Sequence, residues 1–230
     1  MYLKTHRQQA IENETAGIYP STLAAWWKCT EATGAKTLVD AANGANIVWT
    51  GAPNTTALNG QISLSGTLSG ANNDFAVPLS AIGTNDFLLV IGGNSSSAFS
   101  NMKIGNAAGS EYVDIINTAG NSTVVGGSGT TTITSAGFPS SGSQSYALAR
   151  EASPDETGIY IDGTVDNAAV NDAAGYIAAF TQVISWNSAL KLNGMALFIF
   201  PDGLPSDYAE AASWMGNQWL ANNKVIWPRW

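Results

Sequence analysis

The stretch GIYIDGTV, residues 158–165, places an apolar–polar alternation on either side of an Asp-Gly pair. Alternation with a period of two residues is typical of a half-buried β-strand, and Asp-Gly is a favoured centre of a two-residue hairpin because both residues tolerate the backbone conformation of that turn. The stretch therefore predicts two antiparallel strands joined at Asp162 and Gly163. A turn accounts for Asp162 without a catalytic or ligand role for its carboxylate. Asp166 follows it, but no residue at a characteristic spacing completes a catalytic acid pair.

Short apolar runs of the same kind continue from Leu23 to Phe200, separated by Gly, Asn, Ser or Asp. Their spacing of about ten residues and their β-branched and aromatic content are typical of a sandwich or barrel. So many strands exceed what one flat sheet usually carries, so the sequence predicts an all-β fold, a two-sheet antiparallel β-sandwich. The runs are NIVWTG, GQISLSGTLSG, DFLLVIGG, NMKIG, EYVDIIN, STVVGG, TTTITS, SYALAR, GIYIDGTV, TQVISW and MALFIF.

Two polar, Gly- and Ser-rich stretches interrupt this pattern, SGTLSGANNDF at residues 65–75 and VVGGSGTTTITSAGFPSSGSQS at residues 124–145. We expect both to be surface loops. The alternative interpretation is that either one is a binding loop on the rigid scaffold.

The two ends of the chain differ from its centre, so we divide the sequence into an N-terminal arm at 1–20, the sandwich at 21–203 and a C-terminal helix and Trp-rich tail at 204–230. The arm is polar and charged, and it is either a loosely ordered lead-in or a grip on a neighbouring subunit.

The C-terminal region predicts a short amphipathic helix. Its apolar positions recur at helical intervals, and Asp207 with a Glu three residues later forms a capping box. We expect the apolar face of this helix to pack on the sandwich. The apolar positions are Tyr208, Ala211, Met215 and Trp219.

Charge and composition exclude several classes of function. The chain carries 9 basic and 17 acidic residues, a net charge of -8, which is the wrong sign for a nucleic-acid partner. A single cysteine, Cys29, and a single histidine, His6, cannot supply a zinc site or a Ser-His-Asp triad. We expect Cys29 to be a buried thiol beside Trp26 and Trp27.

Localisation is predicted from the apolar runs. The N-terminal sequence MYLKTHRQQAIENET lacks the apolar core of a signal peptide, and FLLVI and MALFIF are too short to span a membrane. We expect synthesis in a host cytoplasm without a signal peptide and no membrane insertion.

Three motifs in order resemble those of concanavalin A-like, laminin-G-like jelly-roll domains. They are AAWWKCTEATGAKTLVDAANGANIVWTG at 24–51, the hairpin at 158–165, and FIFPDGLPSDYAE at 198–210. The resemblance implies a jelly roll closed by the C-terminal helix. The chain departs from the family at Tyr146, where a Trp-His pair is usual nearby, and at Ala41-Ala42 after Asp40, so no ion site is carried over to Asp40.

Glycosidases of this fold typically carry Glu-x-Asp-x-Glu on one strand, because two carboxyl groups must flank one glycosidic bond. No Glu in this chain has an Asp two residues later. We therefore expect no enzyme activity and assign no catalytic, cofactor-binding or metal-binding residue. Whether Asp40, Asp74 and Asp155 converge on a Ca²⁺ ion is left open.

The resemblance and the acidic, Ser/Thr/Asn/Gly-rich composition suggest a bacteriophage virion protein of the tail tip, baseplate or fibre. In phages such domains contact host-surface glycans. The alternative is a purely structural assembly or capsid decoration protein, in which Trp227, Arg229 and Trp230 dock onto other virion proteins. A glycan hydrolase is the third hypothesis. Fibre proteins are often trimers, but no heptad pattern here specifies one.

Overall fold

The computed structural model describes residues 22–204, apart from 51, 59–60, 70–72, 81–84, 97–99, 107, 117–120, 127–128, 135–143, 152–155, 162–163, 172–176 and 178. The predicted arm, the C-terminal helix and the docking residues Trp227, Arg229 and Trp230 lie outside this part of the chain. His6 and Asp155 also lie outside it.

The described residues form seventeen β-strands in two sheets. The strands are β1 (Leu23–Trp27), β2 (Thr37–Leu38), β3 (Ile47–Trp49), β4 (Thr55–Leu58), β5 (Gln61–Leu64), β6 (Leu68–Ser69), β7 (Asn73–Ser80), β8 (Asp86–Ser95), β9 (Ser100–Gly105), β10 (Tyr112–Ile116), β11 (Asn121–Gly126), β12 (Gly129–Thr134), β13 (Gln144–Glu151), β14 (Glu156–Ile161), β15 (Thr164–Asn171), β16 (Ala179–Trp186) and β17 (Leu190–Phe200).

Two antiparallel sheets stack on each other. The first sheet has the order β15-β14-β13-β8-β17-β5-β4, and β1 also pairs with β17. The second sheet has the order β12-β11-β10-β9-β16-β7-β3-β2, and β6 also pairs with β16. This arrangement confirms the predicted fold class, a two-sheet antiparallel β-sandwich.

The hairpin predicted from GIYIDGTV is confirmed by the strands on either side of it. Strands β14 and β15 pair antiparallel up to Ile161 and Thr164, so only residues 162 and 163 connect them. On its other edge β14 pairs along its whole length with β13, which builds this hairpin into the first sheet.

The main core lies between the two sheets and is filled by alternate residues of the strands. Strand β8 contributes Phe87, Leu89 and Ile91, none of which is more than 1% exposed. Aromatic pairs join the layers: Trp27 stacks on Phe75 with ring centroids 5.5 Å apart, and Phe87 meets Phe180 edge-on at 6.1 Å. Such pairs add about 0.5–1.5 kcal/mol each beyond the area they bury.

The predicted surface loop at 65–75 is partly wrong, because β6 and the start of β7 lie inside it. Strand β7 pairs with β3 on one side and with β16 on the other, so its backbone groups have partners in spite of the polar sequence. Phe75, the last residue of that stretch, is buried against Trp27. The second polar stretch, 124–145, likewise contains strand β12.

A second apolar cluster covers the outer face of the first sheet. On β8, β13 and β17 the residues between the core positions are also apolar, and ten members of this cluster are at most 5% exposed. We call these ten residues the apolar face: Leu23, Trp26, Leu88, Val90, Ala147, Ala149, Tyr160, Ala196, Phe198 and Phe200. Within the described part of the chain, no helix has the length and apolar content to cross a membrane.

Candidate binding face

On strands β9, β10 and β16, the described residues of the outer face of the second sheet are mainly polar, and the strand register aligns their side chains in two rows. In one row, Gln182 lies opposite Gly105, which lies opposite Tyr112. In the next row, Ser185 lies opposite Lys103, which lies opposite Asp114. We call these residues, together with Asp74 opposite Gln182 on β7, the polar face.

Lys103 links the two rows of the polar face. Its Nζ atom lies 3.5 Å from Oδ2 of Asp114 and 3.9 Å from the ring centroid of Tyr112. The Lys103 side chain is 25% exposed and that of Asp114 is 12% exposed, so solvent screens this ion pair only in part. The cation–π contact adds about 0.5–1 kcal/mol. Together the two contacts hold the Lys103 side chain in one position.

Gly105 keeps the centre of the polar face free of side-chain atoms. A Cβ atom added there would lie 2.2 Å from the carbonyl oxygen of Glu111 and 2.6 Å from the Cβ of Tyr112. Because these neighbours are backbone or close to it, no larger residue fits without moving β10. The close packing of β9 against β10 therefore requires glycine at this position, and Gly105 adds no side chain between Gln182 and Tyr112.

The polar face combines an aromatic ring with hydrogen-bonding groups of both kinds. Lys103 donates and Asp114 accepts, and the Gln182 amide, which like Asp114 is largely buried, does both. An aromatic ring beside such groups offers an apolar surface for a ligand that is polar at its edges. This arrangement suits reversible binding of a hydroxyl-rich molecule.

Asp40 has a structural role. Its Oδ1 accepts hydrogen bonds from the backbone N–H groups of Trp26 (2.7 Å) and Ala42 (2.9 Å). Its Oδ2 accepts from the N–H groups of Asn43 and Ala45, both at 2.9 Å. Both carboxylate oxygens are thus occupied by the protein's own backbone, and the side chain ties the loop after β2 to strand β1.

Of the two other carboxylates considered for an ion, Asp155 lies outside the described residues and Asp74 belongs to the polar face. Asp74 is exposed on the polar face, opposite Val48 and Gln182. Within the described residues, no three His, Cys, Asp or Glu side chains form a group that could hold a metal ion.

Cys29 is buried as predicted, with 2% of its surface exposed. Its thiol donates a hydrogen bond to the backbone carbonyl of Trp27 at 3.6 Å. Burial raises the pKa of this thiol well above its ordinary value, and the nearby Glu31 carboxylate raises it further. A protonated thiol is a poor nucleophile, so Cys29 is a packing residue.

Sequence reasoning placed NMKIG and EYVDIIN on strands but did not single out Lys103, Tyr112 or Asp114. The signal that could have found them is the alternation within each run, which puts Tyr112 and Asp114 on one side of β10 and Lys103 on one side of β9. The pairing of β9 with both β10 and β16 brings these residues close to Gln182. That pairing cannot be predicted from the apolar runs taken one at a time.

No protein-family model matches the sequence, and no curated protein matches it. The fold is similar to that of a Trypanosoma rangeli sialidase in complex with 2,3-difluorosialic acid, with a TM-score of 0.54 and 10% identity over 95% of this chain and 39% of that chain. It is also similar to the binding domain of botulinum neurotoxin serotype G, with a TM-score of 0.50 and 10% identity over 84% of this chain and 50% of that chain.

A CBM40 module of a Ruminococcus gnavus IT-sialidase, bound to α2,6-sialyllactose, aligns with a TM-score of 0.42 and 16% identity over 56% of this chain and 84% of that chain. This chain spans between about a third and a half of the sialidase and toxin chains. At such identities the likeness to the sialidase and to the toxin domain concerns the fold alone, and it supports the expected jelly-roll-like β-sandwich.

Proposed function

We propose that the protein is a non-enzymatic glycan-binding module that uses the polar face of its second sheet. The observation that carries the proposal is the cluster of Lys103, Asp114 and Tyr112 beside the side-chain-free position Gly105. A sugar ring stacks its C–H side on an aromatic ring while its hydroxyls exchange hydrogen bonds with neighbouring polar groups. Lys103 already lies over one face of the Tyr112 ring, so the sugar would stack on the rest of that ring and exchange hydrogen bonds with the polar groups beside it.

The charges of the polar face favour a neutral glycan. The face carries two carboxylates, Asp74 and Asp114, against one cation, Lys103, which already pairs with Asp114. The whole chain has a net charge of -8. Anionic ligands therefore meet an unfavourable field, since like charges repel over the Debye length of about 8–10 Å.

The biological setting we propose is a bacteriophage particle, with this protein at the tail tip, baseplate or fibre and the glycan on the host surface. The support is the acidic, Ser/Thr/Asn/Gly-rich composition and the resemblance of the three motifs to jelly-roll domains used in that role. In this setting the protein is made in the host cytoplasm and works in the virion beside other virion proteins. Mass spectrometry of purified particles tests this placement.

Binding without bond cleavage is the mechanism we propose. Three of the described carboxylates already have structural partners: Asp40 accepts four backbone N–H groups, Asp86 accepts from Leu204, and Asp114 pairs with Lys103. A glycosidase needs two carboxyl groups set for proton transfer and attack on either side of the bond. Release of new reducing ends from the bound polysaccharide would instead support the hydrolase hypothesis.

The direct test is calorimetric titration of neutral oligosaccharides built from glucose, galactose or N-acetylglucosamine, with sialyllactose as the anionic comparison. We expect Tyr112→Ala to weaken binding at least tenfold, because the stacking surface is lost. Tyr112→Phe keeps the ring and should stay within about threefold of the native protein. The matched control is Val39→Ala, which removes an exposed apolar side chain outside the polar face. Equal affinity of the Tyr112→Ala and native proteins would contradict the proposal.

The assembly alternative rests on Trp227, Arg229 and Trp230. Deletion of residues 225–230 tests it, since loss of incorporation into particles with unchanged glycan affinity would support a docking role for the tail. Normal incorporation would remove the tail as the anchor.

A further inference from the structure

The first of the two rows on the polar face continues beyond Asp74 to a further strand. Asp74 on β7 lies opposite Val48 on β3 as well as opposite Gln182 on β16. The row then runs through Gly105 on β9 to Tyr112 on β10. We call these five residues the extended row: Val48, Asp74, Gln182, Gly105 and Tyr112. It crosses five neighbouring strands of the second sheet.

All five positions of the extended row face outward, because each is next to a residue of the core between the sheets. Successive residues of a strand point to opposite faces of the sheet. Directly opposite residues of two antiparallel strands share a face, so the register and the alternation agree. The core neighbours are Ile47, Phe75, Val183, Ile104 and Val113.

Apolar surface lies at both ends of the extended row. Val48 is 39% exposed, and it is one of two large apolar residues exposed in the described part of the chain. The ring of Tyr112, with Lys103 over one of its faces, lies at the other end. One exposed valine is ordinary on a strand. This valine, however, lies in line with the exposed carboxylate of Asp74 and the amide of Gln182.

The length of the row decides which ligands can use both ends. Five strands at a spacing of about 4.8 Å place Val48 and Tyr112 about 19 Å apart. A single sugar ring reaches one end only, whereas a linear chain of about four rings, each roughly one strand spacing long, covers the distance. A ligand that contacts both ends gains affinity from each, because the second contact is made without a second loss of translational freedom.

We propose that the protein recognises an internal segment of a linear neutral polysaccharide, about four sugars long, that lies across the strands along the extended row. This inference rests on the proposed function, since it extends the glycan site at Tyr112 and Lys103 as far as Val48. The C–H faces of the sugars contact the Tyr112 ring and the Val48 side chain, and their hydroxyls exchange hydrogen bonds with Asp74 and Gln182 between them. Neither kind of contact requires a chain end.

The test is calorimetric titration of the full chain with linear oligomers of glucose, galactose and N-acetylglucosamine, each as a disaccharide and as a hexasaccharide. We expect the hexasaccharide of the recognised sugar to bind at least tenfold more tightly than its disaccharide. Val48→Ala should weaken hexasaccharide binding at least threefold and leave disaccharide binding unchanged, because the shorter ligand does not reach from Tyr112 to Val48.

A second variant should change the affinity in the opposite direction. Tyrosine is well accepted on strands, and its ring offers more stacking surface than valine. Val48→Tyr should therefore bind the hexasaccharide at least threefold more tightly, with no gain for the disaccharide, and damage to the fold cannot produce such a gain. The matched control is Val39→Ala, the same truncation of an exposed valine outside the extended row, which should leave both affinities unchanged.

Titration with the long polymer of the same sugar distinguishes internal from terminal recognition. We expect several protein molecules to bind each polymer chain, in a number that rises with chain length. A limit of one protein molecule per chain at every length would show that a chain end is recognised, and this would overturn the proposal.

Equal affinity for the disaccharide and the hexasaccharide, or an equal effect of Val48→Ala on both, would overturn the extended row alone. Weakened binding by Tyr112→Ala in that case would still support the smaller glycan site. Binding that is insensitive to Tyr112→Ala, or no binding of any of these sugars, would overturn the proposed function together with this inference.

Discussion

Among single residues, Asp40 shows how one side chain decides a local fold. The sequence identified it only as part of a motif, with an ion as an open alternative. The structure instead gives its two oxygens four backbone N–H partners, and Asn43 completes the clamp by donating to the carbonyl oxygens of Leu23 and Ala24. A carboxylate is the only side-chain group with enough acceptor positions and no donor to satisfy this set.

Replacement of Asp40 should therefore destabilise the protein. Asp40→Ala leaves four N–H groups without their acceptor, and we expect a loss of about 3 kcal/mol or more in the free energy of unfolding. Asp40→Asn turns one oxygen into a donor facing two N–H groups and should cost about 2 kcal/mol. Urea unfolding measures both. Asp202→Ala, an exposed carboxylate beyond β17, is the control and should change stability by less than about 0.5 kcal/mol.

Cys29 gives a pH-dependent effect with a definite sign. Its pKa is raised in the folded state by burial and by Glu31, so the folded protein keeps a proton that the unfolded chain releases above about pH 8.5. The contribution of this thiol to stability is full below that pH and falls as the pH rises. We expect the stability difference between the native protein and Cys29→Ala to shrink from pH 7 to pH 10. A constant or growing difference would contradict the buried, protonated thiol.

Among the strands, β8 and β17 form the centre of the first sheet, and a glycine permits their close approach. A Cβ atom at Gly93 would lie 2.2 Å from the backbone carbonyl oxygen of Lys191 on β17. Backbone cannot move aside as a flexible side chain can. The register of β8 and β17 also shifts between Leu192 and Gly194, next to the pairing of Leu192 with Gly93.

Gly93→Ala should thus destabilise the sandwich by about 2–3 kcal/mol through overpacking. Gly66→Ala is the matched control, since an added Cβ there would meet only the Pro53 side chain at 3.7 Å, an ordinary contact. Thermal unfolding of both variants measures the difference. Equal melting temperatures for the two variants would show that β8 and β17 are not packed as closely as described.

The strands also show how much of the fold can be predicted from the sequence. Alternation and turn residues predicted β8, β13, β14, β16 and β17 because each carries its own apolar pattern. Strand β7 was missed because NDFAVPLS is irregular and contains Pro78, and its place in the sheet depends on β3 and β16. The local sequence pattern predicts a strand that carries its own apolar alternation. A strand without that alternation, such as β7, is held by its pairing with neighbouring strands and can be predicted only once the sheet topology is known.

Across the whole molecule, the two sheets have opposite outer surfaces. The first sheet presents a closed apolar face, and the second presents the polar face with Lys103, Tyr112 and Asp114. The sequence predicted a two-layer sandwich and a C-terminal helix packed on it, and it did not predict which layer carries the polar cluster. That assignment needs the pairing of β9 with β10 and β16, which joins residues about 80 positions apart in the chain.

We assign glycan binding to the polar face of the second sheet and none to the apolar face of the first sheet. NMR titration of the isotope-labelled full chain with the neutral oligosaccharides tests this assignment most directly. We expect saturable shifts centred on the backbone amides of Lys103, Tyr112, Asp114 and Gln182, with the amides of the apolar face unchanged. Shifts centred instead on the apolar face, or no shift with any of these sugars, would contradict it.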